Sequence, residues 1–319
     1  MSAPMNDAGL TPRFSMVLCT RNPREKYLTR VLAALDGLAG NAPRELVVVD
    51  SSSTPPLRDR SIAWPEGTTI LRLEESGVAR ARAAGVRAAH GEWVVFVDDD
   101  NVLDPDYLQR AEEIIRQNPA IVLCCGRISG EFEEAPPAWL APFYRQLAII
   151  DFDDDTSAAE WIPSQLPCWT AGMCVRRDVV TEYCDEIASD PFALSIQTRV
   201  EDVYLVMRTV AKGYTAGLFR RLHLRHLIPP ERMTIEYLCK IVDETAFNMT
   251  VLRCRDSGVS VRDVLRPIRS AVASTLSHGW TPAGRIARTA AYADLRGAIS
   301  TLMSGFSRTC SMFSRSRHD

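Results

Sequence analysis

Several signature motifs of common nucleotide-binding and hydrolytic proteins are missing from this sequence of 319 residues. The first apolar segment leads into the polar turn Thr20-Arg21-Asn22-Pro23, which contains no glycine. The dinucleotide-binding fingerprint and the P-loop both need glycines there, where the backbone has to approach a phosphate closely. A Gly-x-Ser-x-Gly elbow is also absent. These absences argue against an NAD-dependent dehydrogenase, a P-loop ATPase and a serine esterase.

The nine cysteines include no Cys-x-x-Cys pair, so the sequence gives no sign of a zinc site or a disulfide framework. This cysteine usage favours a reducing compartment. No segment reaches the ~18 apolar residues of a membrane-spanning helix, and residues 1–13 carry no apolar core of signal-peptide length. We therefore expect a cytoplasmic protein that is soluble or bound peripherally to the cytoplasmic membrane face.

Charge is distributed unevenly along the chain. The net charge of −3 argues against nucleic acid as the main partner. From Val261 onward, however, nine arginines accompany three aspartates, a net charge of +6, and apolar residues lie among them. Basic amphipathic helices of this kind bind anionic membranes, pack on their own domain or contact a protein partner, and the sequence leaves these alternatives open.

The first part of the chain alternates apolar strands with amphipathic helices. Strands are predicted at residues 14–19, 45–50, 69–73, 93–97 and 121–125. Strand, helix and strand joined by short links form right-handed βαβ units, so we expect an α/β fold with a mostly parallel sheet flanked by helices. Residues 130–167 lack clean periodicity, which predicts a loop-rich insertion that forms a substrate wall.

Three consecutive carboxylates, Asp98, Asp99 and Asp100, follow the apolar strand predicted at residues 93–97. In an extended chain Asp98 and Asp100 point to one side and can bind one divalent cation, whereas Asp99 faces the other way. Ligands of open α/β sheets bind at the carboxyl ends of strands, where these acids are expected. For an isolated Asp-x-Asp, the alternative is an acidic turn that caps the next helix.

The order of these motifs resembles the family-2 inverting glycosyltransferases with a GT-A fold, over residues 14–232. The family's Thr-x-Asn turn is similar to the segment from Thr20 to Asn22, and its acid after the second strand corresponds to Asp50. Its Gly-x-x-x-Ala-Arg-Asn-x-Gly segment resembles residues 77–85, where Arg82 matches the family's arginine. Ala83 replaces the family's asparagine, which weakens any donor contact predicted there.

Later motifs extend the resemblance. The metal-binding Asp-x-Asp resembles residues 98–100, and the Glu-Asp pair at a helix start matches Glu201 and Asp202. His226 is followed by prolines and Arg232, as in the family, and Arg176 resembles an arginine on the acceptor side. The resemblance implies a Rossmann-like GT-A domain and metal-dependent transfer of a sugar from a nucleoside-diphosphate sugar, with UDP favoured, to an acceptor hydroxyl. A carbohydrate or lipid-linked acceptor in bacterial polysaccharide or glycoconjugate biosynthesis would fit.

The resemblance also implies roles for individual residues. We expect Asp202 to be the catalytic base, with Glu201 beside it, although acids in a first helical turn also serve simply as caps. The helix dipole is expected to keep Asp202 ionised. Mn²⁺ or Mg²⁺ would be held by Asp100, Asp98 and His226, with His223 a weaker candidate; an ordinary hydrogen-bonded histidine is the alternative. The remaining assignments are donor contacts at Thr20, Asn22, Asp50, Arg82, Asp98 and Asp99, and acceptor or phosphate contacts at Arg176 and Arg232.

The predicted domains are a disordered N-terminus at residues 1–12, a GT-A domain at 13–232 and a helical basic extension at 233–319. Within the GT-A domain, residues 13–128 form the nucleotide-sugar half and 129–232 the acceptor half. Two other functions stay open. A sugar-nucleotide nucleotidyltransferase would need a glycine-rich basic loop after the first strand, and an inactive GT-A-like scaffold would be expected to lack the metal acids or the base.

Overall fold

The computed structural model describes residues 12–159, 168–189, 200–257, 259–278 and 281–315. They belong to two compact units. The first unit falls within Met1–Glu133, Leu147–Leu194 and Glu201–Ile228. The second falls within Glu134–Gln146, Ser195–Val200 and Pro229–Asp319. The predicted disordered N-terminus lies almost wholly outside the described residues, and the predicted domain boundaries stay a prediction.

A nine-stranded mixed sheet forms the centre of the first unit. Its strands are β1 Phe14–Thr20, β2 Arg44–Ser51, β3 Thr69–Leu73, β4 Trp93–Asp98, β5 Asn101–Leu103, β6 Ile121–Phe132, β7 Thr156–Ala158, β8 Cys174–Arg176 and β9 Thr215–Ile228. They are ordered β3-β2-β1-β4-β8-β6-β9-β5, with β7 also paired to β9. Only β5, β7 and β8 run antiparallel to their neighbours. The predicted mostly parallel α/β sheet is confirmed.

Five helices of the first unit are described: α1 Glu25–Asp36, α2 Val78–Ala88, α3 Tyr107–Gln117, α4 Arg177–Ser189 and α5 Glu201–Ala211. The leucines and Val31 of α1 recur at helical spacing, which predicts one apolar face, and the structure buries that face. Helix α2 lies very close to the sheet at Gly85, where an added Cβ would be 2.3 Å from Val17 Cγ1. The small residues of α2 therefore bring Arg82 close to the strand ends.

Three local predictions need correction. The sequence predicts Asp104 as an N-cap with Pro105 in the first helical turn, but helix α3 begins at Tyr107, and the Asp104 carboxylate lies 3.0 Å from His223 Nδ1. The apolar segment at residues 169–175 also predicts a strand, but the structure reduces it to β8, since the chain turns at Gly172, where φ is +72°. Helix α4 was not predicted, although its buried Val180, Cys184 and Ile187 lie at i, i+4 and i+7, a helical spacing.

The second unit is mainly helical, and the predicted helical C-terminal region is confirmed. Its helices are α6 Ile235–Ser257, α7 Val261–His278 and α8 Pro282–Arg315. A short 3-10 helix at Pro230–Met233 precedes α6. Among the described helices, none combines the length and the apolar character that a bilayer-spanning segment requires.

Candidate active site

Neighbouring parallel strands bring their terminal polar residues into one row at the carboxyl edge of the sheet. Thr20 at the end of β1 is in register with Asp50 of β2. On its other side, Cys19 of β1 is in register with Asp98 at the end of β4. Because parallel strands end at the same edge, residues far apart in sequence meet there, where α/β proteins bind ligands.

The three acids at the end of β4 and directly after it have three different partners. The strand ends at Asp98, and the next two residues form a turn. Asp98 lies 3.4 Å from an Arg82 Nη, Asp99 accepts a hydrogen bond from the Thr20 hydroxyl, and Asp100 accepts one from Asn101 Nδ2 at 2.9 Å. The extended geometry predicted for this segment is wrong, because the chain turns before the carboxylates can alternate.

Asp100 and His226 form a buried pair, with 5% and 7% of their surfaces exposed. Strands β5 and β9 bring them together, because Asn101 is in register with His226. His226 Nδ1 lies 2.8 Å from the Leu147 carbonyl oxygen, which can only accept, so Nδ1 carries the hydrogen. Nε2, 3.4 Å from Asp100 Oδ2, therefore presents its lone pair to a carboxylate when the ring is neutral.

This pair fits a metal ion as a partial ligand set. Metal-binding histidines commonly donate their second ring N–H to a backbone carbonyl, as His226 does. A cation between Nε2 and the Asp100 carboxylate could be bound by both groups at once. Among the described residues, no group of three or more His, Cys, Asp or Glu side chains is arranged to hold a metal. Asp98, predicted as a third ligand, instead lies beside Arg82.

Arg82 joins two acids that are distant in sequence. One guanidinium nitrogen donates to Glu201, the other is 3.4 Å from Asp98, and the group lies 5.7 Å from the centre of the Phe96 ring. Burial disfavours the charge, but Glu201 and Asp98 together raise the pKa of Arg82 above its ordinary value. Arg82 was predicted to contact the sugar-nucleotide donor, whereas both of its terminal nitrogens here face protein carboxylates.

Asp202 follows Glu201 in the first turn of α5 and is poised to accept a proton near neutral pH. Burial, followed by the neighbouring charge of Glu201, raises the pKa of Asp202 to about 7. The Val203 N–H, which donates to Asp202 Oδ1 at 2.7 Å, and the charge of Arg82 oppose this rise. The expectation that the helix dipole keeps Asp202 fully ionised is therefore wrong, because burial and Glu201 outweigh it.

Asp50 and Asn22 organise the loop that follows β2. The Asp50 carboxylate accepts hydrogen bonds from the Ser53 N–H at 2.8 Å, the Leu57 N–H at 3.0 Å and an Arg72 guanidinium at 2.9 Å. Burial favours the neutral acid, but these hydrogen bonds outweigh it and lower the pKa of Asp50. The Asn22 N–H donates to Ser53 Oγ at 2.9 Å. A direct contact of Asp50 or Asn22 with the sugar-nucleotide donor stays a prediction.

The two predicted acceptor-side arginines do not join this group. Arg176 is in register with Trp93 at the beginning of β4, and it pairs with Asp178 at 2.7 Å. Trp93 precedes Asp98 by five residues of strand, about 16 Å at 3.3 Å per residue. The structure thus contradicts a contact of Arg176 at the carboxyl edge, because β8 runs antiparallel to β4. Arg232 belongs to the second unit, and its role stays a prediction.

His223, the weaker metal candidate, is held in a different cluster. Its Nδ1 lies 3.0 Å from Asp104 Oδ2 and its Nε2 lies 3.0 Å from Ser129 Oγ. Both ring nitrogens therefore have protein partners, and His223 is not offered to a metal. Ser129 and Arg72 are structural residues of this region that the sequence did not reveal, since neither belongs to a motif.

These features define an α/β protein with a carboxylate-lined site at the carboxyl edge of its sheet. The chain belongs to glycosyl transferase family 2, whose family model matches residues 15–182. The predicted family and the GT-A-type α/β fold are thereby confirmed.

Individual relatives match parts of the chain. This chain is 25% identical over 126 residues to the putative glycosyltransferase EpsH of Bacillus subtilis. The matched segment covers 39% of this chain and 36% of that protein. This chain is also 22% identical over 225 residues to an N-acetylglucosaminyltransferase of Azorhizobium caulinodans. That matched segment covers 69% of this chain and 56% of that protein. The chain thus spans well under two thirds of the length of these relatives. S. aureus TarS 1–349 in complex with UDP is 16% identical, with 92% of each chain covered and a TM-score of 0.45.

Proposed function

We propose that this protein transfers a sugar from a nucleoside-diphosphate sugar, with a UDP-sugar favoured, to an acceptor hydroxyl with inversion at the sugar carbon. Family membership supports the class of reaction. The observation that carries the proposal is the arrangement of Asp202 beside the Arg82–Glu201 pair, which joins the base to the strand edge that ends in Asp98. A carbohydrate or lipid-linked acceptor in bacterial polysaccharide or glycoconjugate biosynthesis fits this chemistry.

The buried Asp100–His226 pair is proposed to hold Mn²⁺ or Mg²⁺. The carboxylate suits both ions, and the imidazole favours Mn²⁺ slightly. Mg²⁺ sites in nucleotide enzymes typically use one or two side chains, with substrate phosphates and water completing the shell, so a pair of ligands is sufficient. When bound, the ion supplies Lewis-acid stabilisation of the charge on the departing diphosphate. Asn101 donates a hydrogen bond that orients the Asp100 carboxylate, and the Leu147 carbonyl accepts one that orients the His226 ring.

Asp202 is proposed to take the proton from the acceptor hydroxyl as its oxygen attacks the sugar. A base is most effective when its pKa lies near the working pH, and burial with Glu201 brings the pKa of Asp202 to about 7. Arg82 positions this base indirectly. By holding Glu201 and Asp98 with one guanidinium, it fixes the start of α5 against the end of β4.

The direct test incubates the purified chain with a panel of UDP-sugars and Mn²⁺ and measures metal-dependent release of UDP. Asp202→Asn should reduce release at least roughly 100-fold, as removal of a catalytic proton acceptor typically does. Asp100→Ala should also reduce release strongly, because it removes a proposed metal ligand. Asp185→Asn is the matched control, since this exposed acid of α4 pairs only with Arg87 at the surface among the contacts described. Folded Asp100→Ala and Asp202→Asn variants that release UDP as fast as the parent would refute the assignment.

The same assay separates the two alternative functions. Release of pyrophosphate from a nucleoside triphosphate, without UDP release from any sugar nucleotide, would indicate a nucleotidyltransferase. Binding of sugar nucleotides without turnover would indicate an inactive scaffold. Thermal-shift measurements with UDP-, GDP- and dTDP-sugars would then identify the preferred donor.

A further inference from the structure

Helix α7 of the second unit exposes four large apolar residues. Its outer stripe is defined as four residues at positions i, i+3, i+7 and i+11, which share one face of a helix. These residues and their exposed fractions are Leu265 (45%), Ile268 (45%), Val272 (55%) and Leu276 (83%). On the opposite face, Pro267 and Ser274 are buried. These four residues thus depart from the usual pattern, in which large apolar residues face the interior.

The outer stripe forms a continuous apolar surface, unlike isolated exposed side chains. Single apolar residues are common on protein surfaces, but aligned ones form a continuous patch, and such patches mark binding surfaces. Helix α8, which packs on α7, adds further exposed apolar residues: Tyr292, Ile299, Leu302 and Met303. Burying the outer stripe against a partner would remove apolar surface from water without disturbing the packed face of α7.

The charges beside the outer stripe indicate what the partner is. At 100° per residue, Arg262, Arg266 and Arg269 all fall on one flank of the stripe, and all three are exposed. The acid of this helix, Asp263, lies on the inner side, where it pairs with Arg253 at 3.0 Å. An apolar stripe with a basic flank matches the two layers of an anionic membrane surface, the acyl chains and the phosphate headgroups.

We propose that α7 binds flat on the surface of an anionic membrane, with the outer stripe among the acyl chains and the flanking arginines at the phosphates. This proposal is independent of the sugar-transfer activity, because no residue of the carboxyl-edge site takes part in it. It specifies which face of the basic C-terminal region meets the lipid.

The test is co-sedimentation of the full chain with vesicles of phosphatidylcholine, with and without phosphatidylglycerol. The parent should bind the anionic vesicles and bind much less to phosphatidylcholine alone. Val272→Gln/Leu276→Gln should weaken binding at least roughly tenfold by removing apolar contact. Arg262→Gln/Arg269→Gln should weaken it roughly 25-fold, at about fivefold per arginine, and should remove the preference for anionic lipid.

Ser270→Gln is the matched control, since Ser270 is exposed on α7 but lies away from the outer stripe. It should bind as the parent does. All variants should keep the parent's melting temperature and its UDP release, because the changed residues are exposed. The proposal fails if the parent ignores anionic vesicles or if the stripe variants bind unchanged. It also fails if Val272→Gln/Leu276→Gln lowers the melting temperature or dissolves a dimer, since the stripe would then be covered by protein.

Discussion

Replacing Asp202 with asparagine should make the folded protein more stable at neutral and alkaline pH while it abolishes turnover. The pKa of Asp202 is raised from 3.8 to about 7, chiefly by burial and then by Glu201. The folded state therefore holds a proton that the unfolded chain releases, and stability falls as the pH rises from about 4 to about 7. Three pKa units correspond to about 4 kcal/mol, which partial solvent access reduces to roughly 2–4 kcal/mol.

The assay is urea unfolding of the parent and Asp202→Asn between pH 4 and pH 8.5. The two proteins should be nearly equal at the acid end, and the variant should gain its full advantage of roughly 2–4 kcal/mol above pH 7. The exposed control Asp185→Asn should show no comparable gain. In the parent, kcat/KM should rise with pH, reach half its maximum at an apparent pKa of about 7, and level off above it. A variant less stable than the parent at pH 8 would refute the reasoning, because desolvation and Glu201 would then not disfavour the charge of Asp202.

The remaining predictions concern the same unit. Arg82→Gln leaves Asp98 and Glu201 without the cation that pairs with both, and it should destabilise the protein by about 3–5 kcal/mol in urea unfolding; an unchanged midpoint would show that the ion pairs are not formed. Gly85→Ala should cost about 1–3 kcal/mol, because the new Cβ meets Val17 at 2.3 Å, and an unaltered melting temperature would contradict that close packing. His226→Gln should weaken Mn²⁺ binding in the presence of UDP at least tenfold by titration calorimetry, with the parent's affinity retained in the Ser270→Gln control.

Much of the first unit could be predicted from local pattern. Apolar periodicity identified the first strands and α1, and short links implied parallel βαβ units. The same reasoning failed where geometry depends on more than local spacing. It treated residues 98–100 as one extended segment, whereas the strand ends at Asp98. It also left α4 unassigned, although the buried Val180, Cys184 and Ile187 of that helix lie at i, i+4 and i+7, so the pattern was present in the sequence.

The sequence by itself determined the order of strands and helices and the presence of acids at successive strand ends, since apolar spacing and turn residues act over a few residues. Only the tertiary structure decided which of those acids work together. Arg82 and Glu201 meet across 119 positions of sequence, and His226 is fixed by a carbonyl 79 residues earlier. Side chains find such partners only when the sheet sets the strand order, and the antiparallel direction of β8 carried Arg176 away from the site for the same reason.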